Sequence, residues 1–558
     1  MSAHPIAVSV GVLLTTGFAY LAVVTYRHRA NINRLRKNGF PMPEKWSWFF
    51  GHSFALLEYT QRFPPLANIG IPMQELSKNF ADTEMFLIDL WPSYPSSVVI
   101  FNPEAANLAT QKYNLPKPAM AGASVEPIVG GTSILSMNGA EWKKWRSLLN
   151  PGFSAASLVN HVPFVVDCVQ VFCDKLRELA AKEIFSLDEV VSRLTFDVIM
   201  KVALDSDINY QRCEHVLPSS MNTITHWHSF WDPRVLMHPL RPFVQKYHAK
   251  KMVTYIQKQI EHRFEELKTQ KALSETPASK RGRSVITLAL EAFLEEKGDS
   301  DMTATAVLDK EFSSIVSNHI RLFLFAGNDT TSSTIAFSIH LMSKHPEALA
   351  RLREEHDSIF GTDITQTATL LKDQPTLFNQ CRYTLAFVKE TLRLYPPAAN
   401  MRLGSSELVL PALNGQMLPT EGLNIILVHQ TIHKNPRIWV RPEEFIPDRW
   451  LVDPGHELYP PPGAFRPFDI GPRRCIGQEL ALIEIRMVLI MVARTFKFSP
   501  AYEEWNRTLS SNAGVWPKLK EWLGMKELNT VHGDRVYQTE KAGTHPSDGY
   551  PCRVSVVD

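Results

Sequence analysis

Ten residues constrain this chain more tightly than any other stretch: Phe468-Asp469-Ile470-Gly471-Pro472-Arg473-Arg474-Cys475-Ile476-Gly477. One cysteine sits in a loop, with Arg473 two residues before it, Phe468 seven before it and glycines at fixed offsets. A helix-like apolar run (Leu480, Ala481, Leu482, Ile485, Met487, Val488, Leu489) follows at once. Such a loop can present a single thiolate to a large flat group. Gly471 permits a tight turn, and Gly477 permits the backbone to approach a ring plane. Backbone N–H groups at the start of the helix can point at the sulfur and stabilise its negative charge. Arg473 can pair with an anionic edge of the same group.

A chain of 558 residues can bury a core large enough to enclose such a group. Its 59 Lys+Arg balance 57 Asp+Glu. No long run of like charge appears, so nucleic acid is not an implied partner. The six cysteines, Cys168, Cys173, Cys213, Cys381, Cys475 and Cys552, are irregularly spaced. They read as neither a disulfide framework nor a zinc site. From Met1 to Tyr26 there is no Asp, Glu, Lys or Arg, and Ile6 to Val24 is almost wholly apolar or small. That length meets the roughly 20 helical residues a hydrocarbon core requires. Arg27, Arg29, Arg34, Arg36 and Lys37 follow directly, which orients the C-terminal side to the cytosol. The expected organisation is an uncleaved transmembrane anchor over 1–26, a basic, proline-containing linker over 27–45 and one large domain over 46–558.

Helical periodicity dominates that domain. Helices are expected over Gly139–Asn150, Val159–Ala181, Leu187–Leu204, Phe243–Lys268, Val285–Glu296, Asp309–Met342, Pro346–Phe360, Thr376–Leu394 and Gln478–Phe496. Strands are expected at Met85–Asp89, Ser97–Phe101, Leu408–Pro411 and Asn424–Val428, with hairpins in Val531–Val557 and a mobile polar loop over Thr269–Arg283. The fold class is mainly α with small β-sheets.

Three further patterns bear on chemistry. Ala326-Gly327-Asn328-Asp329-Thr330-Thr331 lies inside the long run Asp309–Met342. A glycine and two threonines are poor helix material, and a Thr hydroxyl can bond a carbonyl one turn back and open a local gap. Close helix packing is the ordinary alternative. Glu390 and Arg393 share a helix face at i, i+3, which in isolation reads as a solvated ion pair. Apolar flanks at Leu385, Phe387, Val388 and Leu394 favour burial and therefore further partners. Trp142 and Arg146 stand four apart in Trp142-Lys143-Lys144-Trp145-Arg146, a pattern that also suits a plain basic surface helix.

The cysteine loop matches F-x-x-G-x-R-x-C-x-G at every fixed position, and with the other patterns the chain resembles the cytochrome P450 family over nearly the whole body from about Trp46. The resemblance implies a haem b whose iron takes the Cys475 thiolate as axial ligand. Phe468, Gly471 and Gly477 then shape the loop, and Arg473, Trp142, Arg146 and Arg402 (after Pro396-Pro397) partner the haem edge. It also implies that Thr330 hydrogen-bonds bound oxygen, Asp329 feeds a proton relay, and Ala326 and Gly327 leave room above the haem. Glu390, Arg393 and Arg449, the last in Phe445-Ile446-Pro447-Asp448-Arg449-Trp450, form a supporting trio; Asp448 and Trp450 stand where Glu and Phe are common. With no flavin or nicotinamide fingerprint in the chain, electrons from NADPH come through a separate flavoprotein reductase. O2 is the co-substrate, and the site is the cytosolic face of the endoplasmic reticulum membrane, with Lys143 and Lys144 on the reductase side.

The substrate pocket is expected from Met120–Leu135, Phe323, Phe325, Ala398–Met401 and Thr544–Pro546, largely apolar and suited to a lipophilic small molecule. Gly39-Phe40-Pro41-Met42-Pro43, Gly51-His52 and the ending Asp548–Val554 resemble those of filamentous-fungal microsomal members. Some of those act in mycotoxin pathways such as sterigmatocystin synthesis. This suggests oxidation of a fungal secondary metabolite: polyketide, terpenoid or alkaloid. Competing readings are a haem-thiolate isomerase or dehydratase that needs no reductase, and a non-enzymatic haem-binding protein. Both commonly do without the Asp329-Thr330 pair.

Overall fold

The longest helix of the body, Lys310–Lys344, is buried along most of its length, and the other elements are arranged around it. The computed structural model describes residues 4–180, 182, 184–230, 232–272, 284–296, 307–511, 528–541 and 543–557. The longer helices are α1 (His4–Lys37), α2 (Gly139–Leu149), α3 (Val162–Leu179), α4 (Leu187–Leu204), α5 (Val216–His226), α6 (Arg241–Ala272), α7 (Val285–Glu296), α8 (Lys310–Lys344), α9 (Pro346–Phe360), α10 (Arg382–Leu394) and α11 (Gln478–Val492). The strands are β1 (Met85–Ile88), β2 (Ser97–Ile100), β3 (Phe185–Ser186), β4 (Asn400–Leu403), β5 (Val409–Pro411), β6 (Met417–Pro419), β7 (Asn424–Leu427), β8 (Phe496–Pro500), β9 (Gln538–Lys541), β10 (Gly543–Pro546) and β11 (Pro551–Val556).

Side-chain chemistry sets the helix starts. Ser186 caps α4 by accepting from Glu189 N, and Asp309 caps α8 by accepting from Phe312 N. α8 packs on α4, α10, α11 and strand β10. Its run from Asn328 to Met342, apart from half-buried Thr330, is buried and merges with the inner faces of α3, α4, α10 and α11 in one apolar core. A second core lies under the four-stranded sheet, ordered β1-β2-β7-β4. There β2 runs antiparallel to β1 (Met85↔Ile100) and parallel to β7 (Ser97↔Asn424). All four residues of β1 and of β2 are buried, and apart from Ser97 at the start of β2 both strands read as apolar runs. The C-terminal stretch supplies the β9–β10 hairpin and β11, which joins β8 and β3. The expected long helix Thr376–Leu394 is split: Leu377–Gln380 is a 3-10 turn, and α10 starts at Arg382. α6 runs to Ala272, so the first residues of the polar stretch 269–283 are helical; the rest lies outside the described residues.

The amino-terminal helix does not break where the charges begin. Among the described residues no single helix is long and apolar enough to cross a membrane. α1 continues to Lys37, and the segment expected as a linker, 27–45, packs on the body. Ile32 and Phe40 enter the second core. Arg29, fully buried, ion-pairs with Asp89 and donates to the carbonyls of Phe49 (2.9 Å) and Trp91 (2.6 Å). Asp89 also accepts from Trp46 Nε1 (3.0 Å) and Ser96 Oγ (2.7 Å). Burial alone raises this carboxyl; the hydrogen bonds of His28, Trp46 and Ser96 and the Arg29 charge outweigh it and hold Asp89 well below the carboxylate range. Gly51 is required beside it: a Cβ there, at φ +56°, would lie 2.2 Å from the Asp89 carbonyl.

Candidate active site

The cysteine loop is held by its own backbone. Cys475 N donates to the Phe468 carbonyl (2.8 Å) and Arg474 N to the Gly471 carbonyl (3.1 Å). Gly471 has φ +98°, and a Cβ on it would sit 2.4 Å from the Thr110 carbonyl, so both conformation and space demand glycine. Gly477 is different. Its φ is −86°, and its Cβ would stand 4.0 Å from Cys475 Sγ, in ordinary contact. Its N–H and that of Gln478 bond the sulfur where α11 begins. The thiol has accessible surface although protein surrounds it, as expected of a group on the wall of an internal cleft. Burial raises its pKa, opposed by the Gly477 and Gln478 N–H groups and by the Arg146 charge.

Cations crowd the same loop. The Arg473 guanidinium donates to the Met137 carbonyl (3.1 Å) and Asn138 Oδ1 (2.9 Å) and lies 4.3 Å over the Trp142 ring. Arg146, one turn along α2 from Trp142, is the charge that acts on Cys475. Arg402, on β4 and fully buried, pairs with Asp469 (2.7 Å), which also receives Arg466 (3.1 Å) and the Asn400 amide. Lys117 bonds Asn400 and is pushed down to about 7 by burial and then by Arg402. Arg473 is lowered to about 10, by burial and then by Arg402 and Arg146. Nε of Arg402 and of Arg473 are buried without a partner. Asp469 is the carboxylate that acts on Lys117, Arg402 and Arg466, while the charges that act on Arg473 are those of Arg402 and Arg146. This positive surplus beside an accessible thiol fits a flat group with anionic edge substituents, as haem is. The sequence did not single out Lys117, Asp469 or Arg466; only Asp469, inside the motif and at φ +55°, carried a local sign.

The oxygen-side pattern lies in α8. Thr330 Oγ1 donates to the Ala326 carbonyl (2.9 Å), the expected bond one turn back. Ala326 is exposed and Thr330 half-buried in a stretch otherwise mostly buried. Gly327 does not leave room over a cofactor: a Cβ on it would meet Ile199 Cδ1 at 2.7 Å, so it serves the crossing of α8 and α4. Beside it, Asn328 Nδ2 donates to Ser192 O (2.7 Å) and Thr195 Oγ1 (2.6 Å) of α4. Asp329 points to His545 on β10 (3.0 Å). Phe323 also departs from the pocket expectation, since it packs in the core on Phe153, ring centroids 5.0 Å apart. The loop 120–135 is fastened to α8: Ile134 N donates to His319 Nε2 (3.2 Å), and Arg321 donates to the Pro127 carbonyl (3.1 Å).

The trio is fully buried. Glu390 Oε1 accepts from Arg393 Nη2 (2.7 Å), Arg449 Nε (3.1 Å) and Ile446 N (3.0 Å); Oε2 accepts from Arg393 Nε (3.0 Å) and Trp450 Nε1 (3.0 Å). Trp450 in place of the commoner Phe adds a donor. Arg393 also donates to the carbonyls of His433, Pro442 and Glu444. Asp448 faces outward onto Arg351.

Residues 41–522 match the family model described as Cytochrome P450. The chain is 35% identical over 557 residues to cytochrome P450 monooxygenase polC of Polytolypa hystricis (strain UAMH7299), covering 98% of this chain and 95% of that protein. It is 32% identical over 512 residues to cytochrome P450 monooxygenase acrF of Aspergillus aculeatus (strain ATCC 16872 / CBS 172.66 / WB 5094), covering 86% and 96%. Among solved structures, the cytochrome P450DA heme domain superposes with a TM-score of 0.66 at 17% identity, covering 93% of this chain and 97% of that one, which is a likeness of fold.

Proposed function

This chain belongs to the cytochrome P450 family of haem-thiolate monooxygenases, and we propose that it inserts one oxygen atom from O2 into a lipophilic small molecule of fungal secondary metabolism. The carrying observation is the accessible Cys475 thiol at the start of α11, with the Arg146 charge acting on it and with Arg473, Arg402, Arg466 and Lys117 around the same loop. Similarity to two fungal monooxygenases over most of the chain supports the substrate class.

Cys475 would hold the haem iron, and Arg473, Arg402, Arg146 and Lys117 would partner the anionic edge of the group. When bound, haem supplies O2 activation, which thiolate donation directs to O–O cleavage. The chain does the rest. The N–H groups of Gly477 and Gln478 temper the charge on sulfur. Because Thr330 gives its proton to Ala326 O, its lone pairs are left to accept from a proton-bearing partner in the cleft. Asp329 takes up a proton and passes it on, and the fastened loop 120–135 keeps bulk water out.

Electrons come from an NADPH-dependent flavoprotein reductase that docks where Lys143, Lys144 and Arg474 are exposed. The first part of α1 enters the endoplasmic reticulum membrane from the cytosolic side. Its uncharged run and its exposed Val12, Leu13, Phe18 and Leu21 support this. The test is to reconstitute the full-length protein with reductase, NADPH and isotopically labelled O2 and to screen fungal polyketide, terpenoid and alkaloid precursors. One labelled oxygen per product molecule is expected. Product formed without NADPH, or carrying no labelled oxygen, contradicts the reading.

A further inference from the structure

Three elements meet at one imidazole. His545 on β10 is buried, and each ring nitrogen faces a carboxylate: Nδ1 lies 2.6 Å from Asp188 Oδ1 and Nε2 lies 3.0 Å from Asp329 Oδ1. An ionised carboxylate only accepts. With both carboxylates ionised, both ring nitrogens therefore carry protons, and the ring is an imidazolium. The chain of groups has a direction. Asp188 is half-buried in the first turn of α4, next to exposed Glu189, where the helix dipole favours a negative charge. Asp329 is the inner end, adjacent in sequence to Thr330.

The geometry around the line is specific. Asp329 Oδ2 is buried with no hydrogen-bond partner. A Cβ on Gly543 would lie 1.9 Å from it, so glycine alone leaves this oxygen its place. The Ser333 hydroxyl donates to the Thr544 carbonyl and fixes β10 on α8. Along α4, Asp188, Ser192, Thr195 and Ile199 recur at helical spacing. They meet His545, then Asn328 twice, then Gly327. The carboxylate–imidazole–carboxylate line is thus the outer end of a seam between α4 and α8.

We propose that Asp188, His545 and Asp329 form a proton-supply line from the N-terminal end of α4 to the Asp329-Thr330 pair, with His545 as its carrier. This rests on the reading of that pair given above. In one cycle the imidazolium gives the proton on Nε2 to Asp329 Oδ1 and keeps the one on Nδ1; a turn of the neutral ring carries Nδ1–H to the Asp329 side and sets the bare Nε2 against Asp188, which takes a proton from solvent and passes it to that nitrogen. One proton moves inward, no electron moves, and the imidazolium is restored. His545 and Asp188 are positioning residues, since they act through Asp329.

Full-length enzyme with its reductase tests this. Product per NADPH consumed is measured across pH for Asp188→Asn, His545→Gln, Asp329→Asn and the His545→Gln/Asp329→Asn double variant. The proposal expects His545→Gln and Asp188→Asn to lower coupling by about tenfold, less than the ~10²-fold of a group that itself transfers the proton. The double variant should be no worse than Asp329→Asn, because groups in series fail together. Gly543→Ala, which removes no titratable group, should reproduce the loss. Should His545→Gln fail to fold, the isosteric Asp188→Asn carries the test.

A second readout needs no turnover. The charged groups acting on His545 are Asp188 from α4 and Asp329 from α8, and its hairpin partner Thr539 is uncharged. Burial opposes the charge, but the two carboxylates outweigh it and raise the imidazole to about 10. A raised folded pKa gives stability that is complete below the unfolded value near 6.5 and lost as pH rises through about 10. The difference in Tm between the wild type and His545→Gln should therefore shrink over that window. A His545→Gln variant with lower Tm but unchanged coupling makes the line a staple and overturns the proposal. Loss of coupling in Asp329→Asn but not in Asp188→Asn or His545→Gln overturns the line alone. Full coupling in both Asp329→Asn and Thr330→Ala overturns the underlying reading of the pair.

Discussion

Cys475 is set apart from the other cysteines by what touches it. Burial pushes the thiols of Cys173 and Cys381 up to about 12 with no offsetting N–H groups. Cys475 instead has the N–H groups of Gly477 and Gln478 to lower it, in addition to an arginine charge of the kind that Cys173 and Cys381 also feel. Thr330 is the residue whose loss should be read most directly. Thr330→Ala is expected to lower product per NADPH consumed by about 10²-fold, the lower end of what a positioned proton-transfer group contributes. Haem content and NADPH consumption should persist, and Thr330→Ser should retain most of the coupling. Unchanged coupling in the Ala variant removes Thr330 from the reaction. Cys475, Arg473 and Trp142 were legible in sequence because their offsets along the chain encode a local loop or helix face. Lys117 and Arg466 were not, and His545 was expected only as part of the pocket stretch Thr544–Pro546, since each reaches its partners through the packing of segments far apart in sequence. Gly327 was misread for a related reason. A glycine in a helix marks a close approach, but the sequence does not say to what, and here it is Ile199.

Between elements, a fully buried polar joint ties α10 to the stretch Ile446–Trp450. Glu390 has both oxygens filled by Arg393, Arg449, Ile446 and Trp450, all within 3.1 Å. Removing one partner leaves a buried charge short of hydrogen bonds, at a cost of about 3–5 kcal/mol. Arg449→Met should therefore lower thermal stability by that order and reduce haem incorporation, measured by calorimetry and by haem per polypeptide. A change under about 1 kcal/mol places the trio with exposed pairs. His433 locks the same region. Its Nδ1–H donates to the Arg393 carbonyl (3.2 Å), and its Nε2 accepts from Arg466 N (2.9 Å), so it is neutral and its pKa is well below the usual histidine value. The helices themselves were mostly legible from apolar periodicity. The split of the expected Thr376–Leu394 helix was not, because the Glu355 carboxylate of α9 caps α10 at Tyr383 N and Thr384 N, a contact across elements.

At the scale of the whole molecule, acid should unfold the protein through its buried histidines. Burial lowers His52, His228 and His319 to about 4, against about 6.5 in the unfolded chain. Between those values the unfolded chain binds protons that the folded one refuses, so stability rises with pH there and is lost as pH falls from about 6.5 toward 4. Tm measured from pH 7 to 4 should fall most steeply in that window; a flat profile contradicts the burial of these rings. The family assignment was legible because the four motifs lie in one order along one chain. The packing of 27–45 was not, since only the fold reveals Asp89 as the partner of Arg29. The central claim is that Cys475 binds haem iron as a thiolate, and the spectrum of the reduced, CO-treated protein tests it most directly. Wild type should show the strongly red-shifted thiolate band, and Cys475→Ser, still folded by circular dichroism, should lose it. A thiolate band that persists in Cys475→Ser, or never appears in haem-loaded wild type, contradicts the account.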